Sequence, residues 1–247
     1  MTNKVGFLVA GAQKSGTSAL DLYLRGHPEL CLARQKEVHF FDTDRNFAAT
    51  TVDYGVYHAW FSPKPSHRLL GEVTPAYMSW PEAPARIARY NPAMKVIMAL
   101  RNPVTRAYSQ WNMARQSGRE PLTFLDALKV ESERMRVMPP VIAKRFTYVD
   151  RGRYVQQLRR MWRHIPREQT IVIRSEDLLR SPVTVLASVA EFLDVAPFPP
   201  IEDKTVHARE YDTTMTDEER RYLVRVFEPE IRELERLLGW NLAAWLE

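Results

Sequence analysis

Short continuous apolar runs alternate along the chain with stretches whose apolar residues recur at helical spacing. Val5–Ala10 is the first run, and Leu69–Val73, Lys95–Leu100 (KVIMAL) and Thr170–Ile173 (TIVI) repeat it. Such runs mark strands buried on both faces of a parallel sheet. Between them, Leu20 and Leu24 stand one helical turn apart, with Gly26 as a stop. After Pro103, residues Val104, Ala107, Tyr108, Trp111 and Ala114 keep helical spacing. Pro121 starts a helix through about Arg136. Tyr154, Val155, Leu158, Met161, Trp162 and Ile165 form one apolar face. Ser181-Pro182 opens a helix to Leu193. Thr216 and Glu219 form a capping box for a last helical region, which Pro229 breaks or kinks and Gly239 ends. Strands alternating with helices predict an α/β fold: one domain over residues 1–247, with a central, mostly parallel sheet flanked by helices.

Composition narrows the class. A chain of 247 residues, 45% apolar and 26% charged, has ordinary globular composition and enough length for one core without staples. One cysteine, Cys31, excludes an intrachain disulfide and a multi-cysteine metal site, and reads as a small buried hydrophobe. The six histidines are scattered, so no metal is expected. No apolar run approaches a membrane span, and the N-terminal run is too short for a signal peptide. The expected setting is cytoplasmic. The formal charge is +5, but residues 134–180 hold twelve Lys/Arg against four Asp/Glu. That belt suits anionic partners and equally suits a solvated helical face.

Only nine glycines occur, and three of them, Gly6, Gly11 and Gly16, fall near the N-terminus. Gly11–Ser18 (GAQKSGTS) lies between the first strand and the first helix. In that position backbone N–H groups and a helix N-terminus hold phosphate. Gly16 permits close approach of an anion, Thr17 and Ser18 offer hydroxyls, and Lys14 adds a movable positive charge. The loop is not a Walker A motif, because Thr17 stands where the lysine belongs. KVIMAL runs into Arg101-Asn102-Pro103, so the Walker B acid that anchors Mg²⁺ is also missing. Tyr54, Tyr57, Trp60 and Phe61 have near-helical spacing and read as core, while Met78 and Trp80 are candidates for an acceptor cleft.

Four segments together carry a resemblance: GAQKSGTSAL, KEVHFFD (Lys36–Asp42), GEVTPAY (Gly71–Tyr77) and LRNPVTRAYSQW (Leu100–Trp111). In order and spacing they resemble the sulfotransferases that use 3′-phosphoadenosine 5′-phosphosulfate (PAPS). The resemblance is closest to the heparan sulfate branch and its bacterial relatives, and it spans Phe7 to about Tyr211. It implies a P-loop-like nucleotide-binding fold in which Gln13, Lys14, Ser15, Gly16, Thr17 and Ser18 hold the 5′-phosphosulfate. Lys14 then meets the bridging oxygen, and Arg101 and Ser109 bind the 3′-phosphate. Arg209, in HAREY, resembles a late loop that closes on the nucleotide. Tyr154 matches a position common in bacterial members and reads as packing. The resemblance makes Glu37 the general base, puts His39 beside it to position the acceptor or sulfuryl group, and leaves Asp42 to order the loop. An extended chain here projects Glu37, His39 and Phe41 to one side.

Two departures qualify the likeness. Val73 stands where the heparan enzymes commonly carry lysine, and no Golgi anchor or disulfide is present, which suggests a bacterial cytosolic member. The acceptor class implied is a small molecule, sugar or lipid presenting a hydroxyl, or less readily an amine. Nucleic acid is not expected. The competing readings are a P-loop small-molecule kinase and a non-enzymatic polyanion binder using the basic belt.

Overall fold

The computed structural model of the protein describes residues 4–200 and 214–247. Their order is β1 (Val5–Gly11), α1 (Thr17–Arg25), β2 (Leu30–Leu32), α2 (Gly55–His58), β3 (Leu69–Val73), α3 (Ala83–Tyr90), β4 (Lys95–Leu100), α4 (Pro103–Gln116) and α5 (Phe124–Val137). These are followed by α6 (Pro140–Ala143), α7 (Tyr154–Trp162), β5 (Thr170–Arg174), α8 (Ser175–Arg180), α9 (Pro182–Leu193) and α10 (Asp217–Leu238). The fold is α/β, with a five-stranded sheet in the order β2-β3-β1-β4-β5 and every pairing parallel. The four strands expected from apolar runs are present, and β2, only three residues long, is an addition.

The described residues divide into two compact units, the first running to Leu100 and resuming over 158–200. This unit holds the sheet. On one face Phe7, Val9, Val73, Ile97, Ala99 and Ile173 meet Leu20 and Leu24 of α1, Leu178 of α8 and Leu186, Val189 and Leu193 of α9. Each such side chain, removed from water, contributes about 1.5–3 kcal/mol. Cys31 lies buried in β2, as expected of a lone small hydrophobe. Gly71 of β3 is fixed by its neighbour, since a Cβ there would sit 2.1 Å from ring carbons of the fully buried Phe7. Gly71→Ala is therefore expected to cost about 1–3 kcal/mol through overpacking. Urea unfolding should show a lower midpoint at unchanged slope, and an unshifted midpoint would mean that the Phe7 ring yields freely.

The second unit comprises Arg101–Gln157 and 214–247. Its α5 starts at Phe124 rather than Pro121, because the Thr123 side chain accepts from Asp126 N–H and caps it. The Thr216–Glu219 capping box forms with both of its bonds. Pro229 does not break α10, which runs on to Gly239 in the left-handed conformation at φ 68°. Leu223, Phe227, Ile231 and Leu234 are all fully buried on one face of it. Four such side chains outweigh the roughly 3 kcal/mol that an interior proline costs.

Candidate active site

β1 stands at the switch point of the sheet: the chain leaves it toward β2, and leaves its neighbour β4 toward β5. The crevice beyond the carboxyl ends of such strands is where parallel α/β sheets bind ligands. The loop from Gly11 to Gly16 leaves β1 there, and Gly16 is the N-cap of α1 with φ 82°. This is the left-handed region, and Gly16 brings no side chain to cover the helix N-terminus. A Cβ at Gly16 would lie 3.3 Å from Ser175 Oγ, so the start of α8 lines the same turn. Lys14 is also left-handed, at φ 69°. For a residue with a Cβ that conformation costs about 1 kcal/mol or more. Ser15 is fully buried, and its Oγ has no hydrogen-bond partner among the described residues. An orphaned hydroxyl beside an open helix N-terminus suits an anion with several acceptor oxygens. The cradle therefore fits a phosphosulfate.

The second element is the loop carrying Glu37, His39 and Asp42. It is not an extended run. His39 takes φ 56°, and Phe41 turns into the core, fully buried. The expected common side for Glu37, His39 and Phe41 thus fails for Phe41. Glu37 and His39 still meet, because the left-handed step at His39 folds the loop back. His39 Nε2 lies 3.2 Å from Glu37 Oε2, and its Nδ1 lies 2.9 Å from Asp42 Oδ2. Lys36 Nζ donates to Glu37 Oε1 at 3.2 Å. Asp42 is buried, consistent with a role in ordering the loop.

These contacts set the protonation states. The Asp42 and then the Glu37 hydrogen bonds raise His39 to about 9, so its imidazole is charged at neutral pH. For Glu37, burial pushes upward, but the His39 hydrogen bond and the Lys36 and His39 charges prevail and hold it below the usual carboxylate range. An imidazolium cannot take a proton at neutral pH, whereas an ionised carboxylate can.

The segment after β3 joins the two elements. Thr74 and Met78 donate backbone N–H bonds to Val9 and Ala10 carbonyls of β1, at 3.0 and 2.8 Å. The same segment accepts from the loop that carries Glu37: Val38 N–H donates to Thr74 Oγ1 at 3.1 Å, and Phe40 N–H to the Tyr77 hydroxyl at 2.9 Å. Behind it lies Glu72, 1% exposed, which accepts from Tyr57, Tyr77 and Thr74 hydroxyls at 2.8, 2.7 and 2.6 Å. The sequence offered one signal for this network, a glutamate inside an otherwise apolar strand. Met78 is fully buried, and a Cβ at Gly11 would strike its side chain, so it is core rather than cleft wall. Trp80 is 7% exposed and donates to Asp44. Of the four aromatics read as core, Tyr57 and Phe61 are buried, while Tyr54 and Trp60 are only half-buried.

In the second unit, Arg101 donates from Nε to Thr105 Oγ1 at 3.0 Å, and Ser109 is buried on α4. Tyr154 is fully buried and donates its hydroxyl to the Arg101 carbonyl at 2.9 Å, a packing position as expected. Arg209 lies outside the described residues. Among the described residues no group of three His, Cys, Asp or Glu is arranged to hold a metal ion, and no helix is long and apolar enough to cross a membrane.

Comparisons with known proteins bear on the family and the fold. The model of the sulfotransferase domain matches residues 6–223. Heparan sulfate glucosamine 3-O-sulfotransferase 5 of Mus musculus is 28% identical over 193 residues, which cover 77% of this chain and 53% of that protein. The chain thus spans about half the length of the curated relatives that head the comparison. The crystal structure of a sulfotransferase from Alicyclobacillus acidocaldarius superposes with a TM-score of 0.82 at 31% identity, covering 99% of both chains. A mouse sulfotransferase, SULT7A1, solved in complex with PAP, shares the fold with a TM-score of 0.60 at 15% identity, over 97% of this chain and 88% of that one. By the family model over most of its length, the chain belongs to the sulfotransferase family.

Proposed function

We propose that the protein is a PAPS-dependent sulfotransferase whose residues 1–247 work as one domain, with Glu37 as the general base. The observation that supports this best is the pairing of Glu37 with His39 on a loop tied, through residues 74–78, to the strand that carries the glycine cradle. Bound PAPS supplies the sulfuryl group and a phosphate leaving oxygen. Glu37 takes the acceptor's proton as the new S–O bond forms. Lys14 carries a fixed positive charge to the oxygen on which negative charge grows. His39, charged and with its two N–H groups on Asp42 and Glu37, positions the acceptor or sulfuryl group through its positive charge rather than acting as base. Gln13–Ser18 and the α1 N-terminus hold the phosphosulfate, Arg101 and Ser109 the 3′-phosphate, and Arg209 belongs to a loop that closes on the nucleotide.

The acceptor proposed is a hydroxyl on a small molecule, sugar or lipid. A sugar hydroxyl has support from the name of the mouse relative, while Val73, buried in β3, removes a cation that a polyanionic acceptor would use. The bacterial, cytoplasmic setting rests on the likeness to the Alicyclobacillus protein and on the single buried thiol.

Calorimetric titration with PAP (3′-phosphoadenosine 5′-phosphate) and with ATP, each with and without Mg²⁺, tests the donor. PAP is expected to bind without metal, and ATP little or not at all. Tight binding of Mg·ATP alone would sink the donor assignment in favour of the kinase reading. A panel of phenols, sugars and fatty alcohols, read by PAP release from PAPS, then selects the acceptor.

A further inference from the structure

Glu72 is a buried carboxylate to which no step above gives a part. It lies in β3, 1% exposed, with no cation within salt-bridge distance among the described residues. Burial prevails and raises its carboxyl, while the hydroxyls of Thr74, Tyr77 and Tyr57 and the His39 charge favour the ionised form. The three hydroxyls each donate to it, and in the ionised form that they favour Glu72 is acceptor-only, so all three hydrogens turn inward. Thr74 and Tyr77 are then left with lone pairs facing outward. Those lone pairs receive Val38 N–H and Phe40 N–H, the two amides that flank His39. Hydroxyls that donate to an anion become stronger acceptors in turn.

We propose that Glu72 is a positioning residue for catalysis: through Thr74 and Tyr77 it clamps the backbone on both sides of His39 and so aims Glu37. This rests on the reading of Glu37 as base. The device works by polarity. A glutamine at the same place would bring amide hydrogens to where three hydroxyl hydrogens converge, and at least one hydroxyl would reverse. The charge that polarises Thr74 and Tyr77 would also be gone, and the bonds that they accept from the loop would weaken. An error of about 1 Å in a reacting group can cost on the order of 100-fold in rate.

The test uses Glu72→Gln together with Thr74→Val, which removes one link and leaves the buried carboxylate in place. Turnover is read as PAP release from PAPS with the best acceptor of the hydroxyl panel. Both variants should lose about 10- to 100-fold in kcat and keep PAP affinity, and Thr74→Ser should restore the rate. In a Glu37→Gln background Thr74→Val should change the residual rate little, since the aimed group is already gone. Independently of any acceptor, the His39 imidazole followed by NMR should titrate lower in Thr74→Val, falling from about 9 toward the ordinary 6.5 as the loop loosens. A Thr74→Val protein with full turnover and an unmoved His39 titration overturns the clamp if Glu37→Gln is inactive. Full turnover in Glu37→Gln overturns the base assignment, and the clamp with it.

Discussion

Glu37→Gln is expected to bind PAP as the parent does and to lose about 10²- to 10⁴-fold in turnover, the usual contribution of a positioned base. The side chain is nearly isosteric, and its partners are Lys36 and His39, so the main change is the lost basicity rather than lost packing. The pH profile supplies a second reading. Glu37 is held low by its neighbours, so activity should persist well into mild acid and fall only as that carboxyl protonates. His39 is raised to about 9, so its charge and the paired geometry are fully present below about 6.5 and are lost as pH rises through about 9. Stability drawn from the triad declines in that same alkaline window. A profile rising through pH 7 and flat beyond it would instead identify a neutral imidazole as the base and displace Glu37.

Lys14→Met should reduce kcat by about 10²- to 10³-fold, close to 3–4 kcal/mol of transition-state stabilisation. PAPS affinity should fall far less, because in PAPS the bridging oxygen has not yet gained the charge that the departure of the sulfuryl group builds on it, whereas PAP carries that charge and should bind more weakly. The backbone sharpens this expectation. Lys14 is held at φ 69°, in a loop closed by the Ser15 N–H bond to the Ala12 carbonyl at 3.2 Å. The ammonium is thus carried by a fixed turn, and an arginine there, larger and planar, should recover only part of the rate. Equal losses in PAPS affinity and kcat/KM, with kcat unchanged, would reduce Lys14 to a binding residue.

Much of this was legible in the chain itself, for definable reasons. β1, β3, β4 and β5 are buried on both faces, so their apolar runs are continuous and visible. β2 is three residues of backbone pairing, too short for any period, and only its burial makes Cys31 intelligible. The cradle was legible because its residue types are demanded by local geometry: a glycine at positive φ, a strand before it and a helix after it. The loop from Lys36 to Asp42 was legible as a run of titratable residues but not as shape. Alternation assumes an extended chain, and the left-handed turn at His39 sends Phe41 inward while keeping His39 with Glu37. The Glu72 clamp was hidden because its four members come from β3, the segment after it and α2, a coincidence that only tertiary folding creates. The continuity of α10 through Pro229 was likewise a matter of burial overriding a local rule.

The base loop also has an electrical property that follows from its pairing. Glu37 and Asp42 bring two negative charges, and Lys36 and His39 bring two positive ones, so the cluster meets an anionic donor with no net charge of its own. It adds no repulsion to the approach of a nucleotide, and it leaves attraction over distance to arginines elsewhere. In the proposed transfer Glu37 takes a proton, which would make the cluster a net cation as negative charge moves from the acceptor toward the departing phosphate. The loop would then act as a charge reservoir that is neutral at rest and positive only during transfer.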